Sequence, residues 1–247
     1  MKLPKSWSEV SVEQWQELNG VSNEDKFNEL LDKVAILLDL DRDDEYFDSL
    51  YIEDLIAMLS EVSWINREPP SNIPNEVDNF KLINIGRLTL GEFIDIEHWI
   101  VEPIKNIHLI ASVLIRGWRI NDWSHLEIEP YTFDIYDRGN IFLEKPINKV
   151  WGVYKLYMDF RKQFMDDYST LFEDPDYDVI EDEDKLSPEE LKEIKEEIEK
   201  DKKLAKFSWT RLIWDLSGGD ITKMDEITNQ PIKWVFNNLS MKKSLEL

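Results

Sequence analysis

Residues Leu88–Ile100 read LTLGEFIDIEHWI, gathering Glu92, Asp95, Glu97 and His98 beside a tryptophan and several large apolar side chains. Acids and a histidine this close suggest catalysis or metal binding, so their placement decides how the chain is read. Thr89 and Glu92 stand three apart, the spacing of a capping box in which each side chain satisfies the other residue's backbone N–H. Leu88 and Phe93 take the two positions of a hydrophobic staple around it. A helix is therefore predicted to start here. At 100° per residue, Phe93, Ile94, Ile96, Ile100 and Val101 share one arc, the face to be buried. Asp95 and His98 fall outside that arc, facing solvent, and Glu97 falls inside it. The stretch resolves into a buried structural set of Thr89, Glu92, Phe93 and Glu97. A carboxylate on an apolar face needs a partner, and Arg116, Arg119 and Arg138 are the expected ones. Gly91 sacrifices helix propensity, on the order of 1 kcal/mol in a helix interior and less in a first turn. Its presence predicts close approach by another backbone, such as that of a second helix.

Upstream of this stretch the punctuation is helical. Ser11 and Gln14 form another capping box, opening a helix that carries Trp15 and Leu18. From about Asn23, the residues Phe27, Leu30, Leu31, Val34, Leu37 and Leu38 keep the spacing of one buried helical face. Leu50–Ile65 repeats the pattern with Ile52, Leu55, Ile56, Leu59 and Val62, and stops before Pro69-Pro70, which cannot continue a helix. Phe80–Ile85 and His125–Tyr131 are short and partly alternating. They are predicted to form one small β-ribbon, with Pro130 confined to an edge or an end.

Downstream, Ile104–Trp118 is predicted as a helix with Ile107, Ile110, Val113 and Leu114 inward. Val150–Phe164 is an aromatic stripe at helical spacing, read as core. Glu173–Asp201 then holds 15 Asp or Glu against 4 Lys. Such a block reads as a solvated linker or exposed helix, and Ser187-Pro-Glu-Glu190 is a helix start within it. Apolar patterning returns at Phe207, with a Gly218-Gly219 stop and two further short helices, Ile221–Ile227 and Pro231–Leu239. The expected fold is mainly α, a multi-helix body (1–172) with at most one small β-ribbon, an acidic helical connector (173–205) and a small C-terminal helical unit (206–247).

Composition narrows the function classes. A chain of 247 residues with 42% hydrophobic and 12% aromatic side chains is globular, and buries roughly 70–75% of its unfolded surface. The absence of cysteine excludes disulfides, thiolate zinc sites and thiol nucleophiles. Neither an apolar leader at MKLPKSWSEV nor a run of eighteen apolar residues is present, so secretion and membrane insertion are not expected. A net charge of −23 opposes direct contact with a phosphate backbone.

The chemical motifs mostly fail. Asp39-Leu-Asp41-Arg-Asp43 places carboxylates like a calcium loop, but Asp44 stands where glycine makes the turn and Leu50 where a bidentate glutamate closes the shell. Asp174-Pro-Asp176-Tyr-Asp178 fails likewise. His98, His108 and His125 lack zinc-hydrolase spacing, and no phosphate loop or nucleophile elbow occurs. No enzyme activity, metal or cofactor is expected. An acidic mimic of nucleic acid that binds a host protein is the alternative reading, prompted by the charge block.

Several strings resemble a protein family of crAss-like and related tailed phages of Bacteroidetes: LPKSWSEVSVEQWQEL, the double proline after Trp64-Ile65, LTLGEFIDIEHWI, and WTRLIWDLSGGDITKMDEITNQPIKWVFNNLS. The resemblance covers most of the chain in order, with the acidic block its most variable part. It implies a non-enzymatic morphogenesis protein, a tail-assembly chaperone or a tail or portal-vertex component. The implied partners are phage tail, portal-vertex or tape-measure-like proteins, with room for a homo-oligomer. The implied location is the host cytoplasm during assembly, or the virion. In a C-terminal unit of about 40 residues, which buries little by itself, Trp209, Leu212, Ile213, Trp214 and Trp234 are the candidate partner-binding residues.

Overall fold

The computed structural model describes residues 2–120, 123–131, 134–172 and 208–245. Among these the helices are α1 (Val12–Gly20), α2 (Lys26–Leu38), α3 (Glu45–Asp48), α4 (Ile52–Glu61), α5 (Leu90–Trp99), α6 (Pro103–Leu114), α7 (Ile135–Leu143), α8 (Ile147–Asp167), α9 (Ser169–Phe172), α10 (Ser208–Leu216), α11 (Met224–Thr228) and α12 (Ile232–Ser244). Five strands of two or three residues accompany them: β1 (Glu76–Val77), β2 (Phe80–Leu82), β3 (Ile115–Arg116), β4 (Trp118–Ile120) and β5 (Leu126–Ile128). The fold is mainly α, as the periodicity requires. It divides into two compact units, one of residues 1–85 with 96–160 and one of 86–95 with 161–247.

The first unit is built around α6. Pro103 begins it at a position where the missing N–H costs nothing, and every residue from Leu109 to Leu114 is buried. Such a helix must end inside the core, where its last carbonyls have no water. Each of them is met. Ile115 N–H donates to Ala111 O, Arg138 Nε to Ser112 O at 2.8 Å, Arg116 Nε to Val113 O at 2.8 Å, and Ile83 N–H to Leu114 O at 2.9 Å. Two buried arginines thus end one helix, where their charge also suits its dipole.

This termination corrects two expectations. The predicted helix Ile104–Trp118 stops at Leu114, because the chain turns extended and pairs through β3 with β2. The single ribbon is instead two sheets, an antiparallel β1–β2–β3 and a hairpin β4–β5. The strands that complete them lay hidden in the expected end of that helix. Helix α7 escaped the pattern reading because its buried stripe, Ile135, Arg138 and Phe142, has an arginine at its centre.

The remaining helices of this unit follow their caps. Ser11 and Gln14 make both bonds of the predicted capping box. At the end of α2, Asp39 takes φ 56°, with its N–H on Ile36 O and that of Leu40 on Ala35 O, a left-handed C-terminal cap. Asp44 then caps α3 through Tyr46 N–H at 2.8 Å. The acids that imitated a calcium loop are helix punctuation. Helix α4 departs from expectation: Ile52 and Ile56 are 62% and 57% exposed, and within the stripe only Val62, beyond the helix end, is buried.

The second unit joins Leu88–Asp95 to the end of α8 and to α9–α12. Leu90 N–H donates to Gln230 O at 2.9 Å and Ile232 N–H to Leu88 O at 2.8 Å, around an isolated bridge between Thr89 and Pro231. Phe93, Phe164, Tyr168 and Phe236 pack as an aromatic cluster, with ring centroids 4.8 to 6.4 Å apart. A Cβ on Gly91 would lie 3.3 Å from Thr228 Cβ at the end of α11, the close helix approach that glycine predicted. Gly218 and Gly219, at φ 66° and 77°, stop α10 as expected. The boundary at 172 is therefore corrected: residues 208–245 share a core with 86–95 and the end of α8. The connector 173–205 and the helix start at Ser187 lie outside the described residues.

Candidate functional site

The acidic stretch is structural. Thr89 N–H donates to Glu92 Oε2 at 2.7 Å and Glu92 N–H to Thr89 Oγ1 at 3.3 Å, the complete capping box. Glu92, Phe93 and Leu88 are buried, while Thr89 and Glu97 are half-buried, a correction to the fully buried set expected. The hydroxyl of buried Tyr157 donates to Glu97 Oε1 at 3.0 Å. The arginines expected there have other work: Arg119 pairs with Glu127 at 2.6 Å, Arg138 with Glu129 at 3.6 Å, and Arg116 caps α6. Because α5 ends at Trp99, that residue takes the buried position and Val101 is exposed. His98 faces solvent, as expected, and Asp95 is half-buried. Among the described residues no three His, Asp or Glu side chains converge to hold a metal ion.

The five candidate partner-binding residues separate. Trp209 sets its ring edge-on against Phe93 at 5.7 Å and is half-buried, as are Leu212 and Ile213. Trp214 and Trp234 stay 47% and 58% exposed. Trp234 shares one stripe of α12 with Met241 and Leu245, seven and eleven residues on, and both are exposed. This apolar face belongs to the second unit.

Sequence reading missed a second feature, an aromatic cavity of about 320 Å³ in the first unit. Its walls include Trp7, Trp15, Trp151 and Tyr154, together with Arg67 and Pro69. Trp15 and Trp151 stand 5.5 Å apart, Trp151 and Tyr154 5.3 Å, and Lys155 Nζ lies 5.7 Å from the Trp151 ring. A second hollow of about 380 Å³ shares Trp7, Arg67 and Glu68 with it and adds Trp64, Pro70 and Asn148.

The chain between Arg67 and Pro74 forms one wall, without helix or strand. Trp7 Nε1 donates to Arg67 O at 3.0 Å, and Lys155 pairs with Glu68 at 3.8 Å. The segment crosses α8 at Gly152, where a Cβ would fall 2.6 Å from the carbonyl carbon of Asn72. Only glycine allows that crossing. The sequence signal was there in Pro69-Pro70 and the tryptophans, yet periodicity assigned Trp151 to a core stripe. No family model, curated protein or solved structure matches this chain. Function therefore rests on the residues themselves.

Nearby, His108 is half-buried, and Gln16 Nε2 lies 3.2 Å from its Nδ1 while also donating to the carbonyls of Ile104 and Lys105. The amide is a donor, so Nδ1 accepts and the ring is neutral. Burial lowers its pKa below the ordinary histidine value.

Proposed function

We propose that this chain is a non-enzymatic morphogenesis protein of a tailed phage, acting through protein–protein contacts in tail or portal-vertex assembly. The observation that carries the binding role is the exposed apolar face of the second unit. Trp214 and Trp234 are large, rigid side chains left about half in water, while the phenylalanines of the same unit, Phe93, Phe164 and Phe236, are fully packed. Exposed tryptophans beside further apolar side chains mark contact surfaces, and tryptophan is enriched among residues that dominate binding energy. The assignment to phage assembly is supported by the resemblance of the N-terminal, Leu88–Ile100 and C-terminal strings.

The test is co-expression of the chain with the products of neighbouring genes, followed by size-exclusion chromatography. Complexes with a tail, portal or tape-measure-like protein are expected, and their loss in W214A/W234A. A monomeric profile with every neighbour refutes the role. Mass spectrometry of purified virions then separates a resident component from an assembly chaperone.

A further inference from the structure

Four buried side-chain nitrogen or oxygen atoms lack a hydrogen-bond partner among the described residues, and three of them belong to residues that line the two joined hollows of the first unit: Trp64 Nε1, Asn148 Oδ1 and Trp151 Nε1. Buried polar groups are nearly always satisfied, and an unmet one costs about 1–3 kcal/mol. Three in one place, two donors and one acceptor, point to a ligand that supplies two acceptors and one donor. An extended peptide backbone offers both kinds of group at short intervals.

The walls specify the peptide further. They present the rings of Trp7, Trp15 and Trp151, the surface on which polyproline-type segments dock at low entropic cost. The protein already does this once, with its own Pro69-Pro70 stretch laid against α8 over Gly152. The rim carries Lys5, Lys33 and Arg67 against Glu68. Lys33 is shared with Glu29, and the exposed Arg67 makes no ion pair among the described residues. In a chain of net charge −23, a local excess of positive charge selects carboxylates.

We propose that these hollows form a groove for an extended, proline-containing segment of a partner protein with acidic residues beside its prolines. The indole N–H groups of Trp64 and Trp151 donate to its carbonyls, Asn148 Oδ1 accepts from a backbone N–H, and Arg67 pairs with a carboxylate. This deepens the binding role by naming a partner's chemistry, and rests on that reading only in taking the chain as a binder.

The experiment uses the full chain and a blocked ten-residue peptide with P-x-x-P spacing and two glutamates at one end. Two control peptides replace the prolines by alanine or the glutamates by lysine. Indole N–H resonances are followed by heteronuclear NMR, assigned with W64F and W151F, which keep an aromatic ring and remove the donor. The groove predicts that these two resonances shift as the peptide is added. It also predicts that affinity falls at least tenfold in W64F/W151F, in R67E and with either control peptide.

No shift of either resonance at millimolar peptide overturns the proposal, since water alone then fills the hollows. Equal binding of the lysine peptide overturns it as well. Should the tryptophan variants misfold, R67E at the exposed rim carries the affinity test alone. The same variants enter the co-expression assay. Complexes that survive W64F/W151F and disappear in W214A/W234A, with no peptide shift, remove the groove and leave the binding role intact.

Discussion

Replacing Gly152 by alanine tests the crossing that shapes the aromatic cavity. In an open helix interior the change stabilises by about 1 kcal/mol, because alanine has the better helix propensity. At Gly152 the new methyl would fall 2.6 Å from the Asn72 carbonyl carbon and 3.2 Å from Ile73 N. These neighbours are backbone, so relief requires the whole 67–74 segment to move or α8 to bend. Overpacking of this kind costs about 1–3 kcal/mol, occasionally more. Shifting the segment also loosens the bond from Trp7 Nε1 to Arg67 O, worth about 1 kcal/mol. Less the propensity gain, the expected net loss is about 1–3 kcal/mol. Gly20, at the end of α1, provides the control: a Cβ there meets nothing within 4 Å, so G20A should be neutral or stabilising by up to about 1 kcal/mol. Urea unfolding followed by tryptophan fluorescence reads both variants, and the opposite signs are the prediction. A G152A protein as stable as the parent would refute the crossing and the cavity wall built on it.

Three further outcomes are expected. T89A removes one half of the capping box at the start of α5 and should cost about 1 kcal/mol in urea titration, with E92Q milder because an amide oxygen still accepts from Thr89 N–H. His108 has its folded pKa lowered by burial, so below the ordinary histidine value the unfolded chain binds the extra proton first. Stability should therefore be unaffected above that value and decline as pH falls through it toward the depressed folded pKa, and H108Q should remove this part of the pH dependence measured by urea titration between about pH 7 and 5. W234A should leave stability within about 0.5 kcal/mol of the parent, as expected for an exposed side chain, while size-exclusion chromatography reports loss of the partner complex.

What was legible in the chain was local. Capping boxes at Ser11 and Thr89, the glycine stop at 218–219 and the Gly91 approach all came from residues within a few positions of one another, where geometry leaves little choice. What failed was tertiary. Nothing near Leu114 says that its carbonyl is claimed by Ile83, some thirty residues upstream, so the strand after α6 could not be foreseen from periodicity. Arg116 and Arg138 looked like partners for a carboxylate; their task is to meet two carbonyls at a helix end buried in the core. In α4 the pattern named an apolar face, but a periodicity does not say whether anything covers it. The cavity was illegible for a related reason. Trp151 fits a core stripe, and whether its indole N–H is met depends on residues 60 to 150 positions away.

The two halves of the quoted stretch explain why its acids act as scaffolding. Leu88–Phe93 must present three things at once: backbone groups to Gln230 and Ile232, a bare Cα to Thr228, and an aromatic ring to Phe164 and Phe236. A frayed helix start would lose all three together, since each depends on the direction in which α5 sets out. The capping box fixes that direction by tying Thr89 and Glu92 to each other's backbone. It does so with a carboxylate that is 4% exposed, whose burial is tolerable because it faces the positive end of the helix and accepts a 2.7 Å bond. Glu97, one and a half turns later, is held by Tyr157 instead. A reactive carboxylate needs a path to substrate. Glu92 has given up that path to hold the helix start in place, which leaves recognition to the tryptophans.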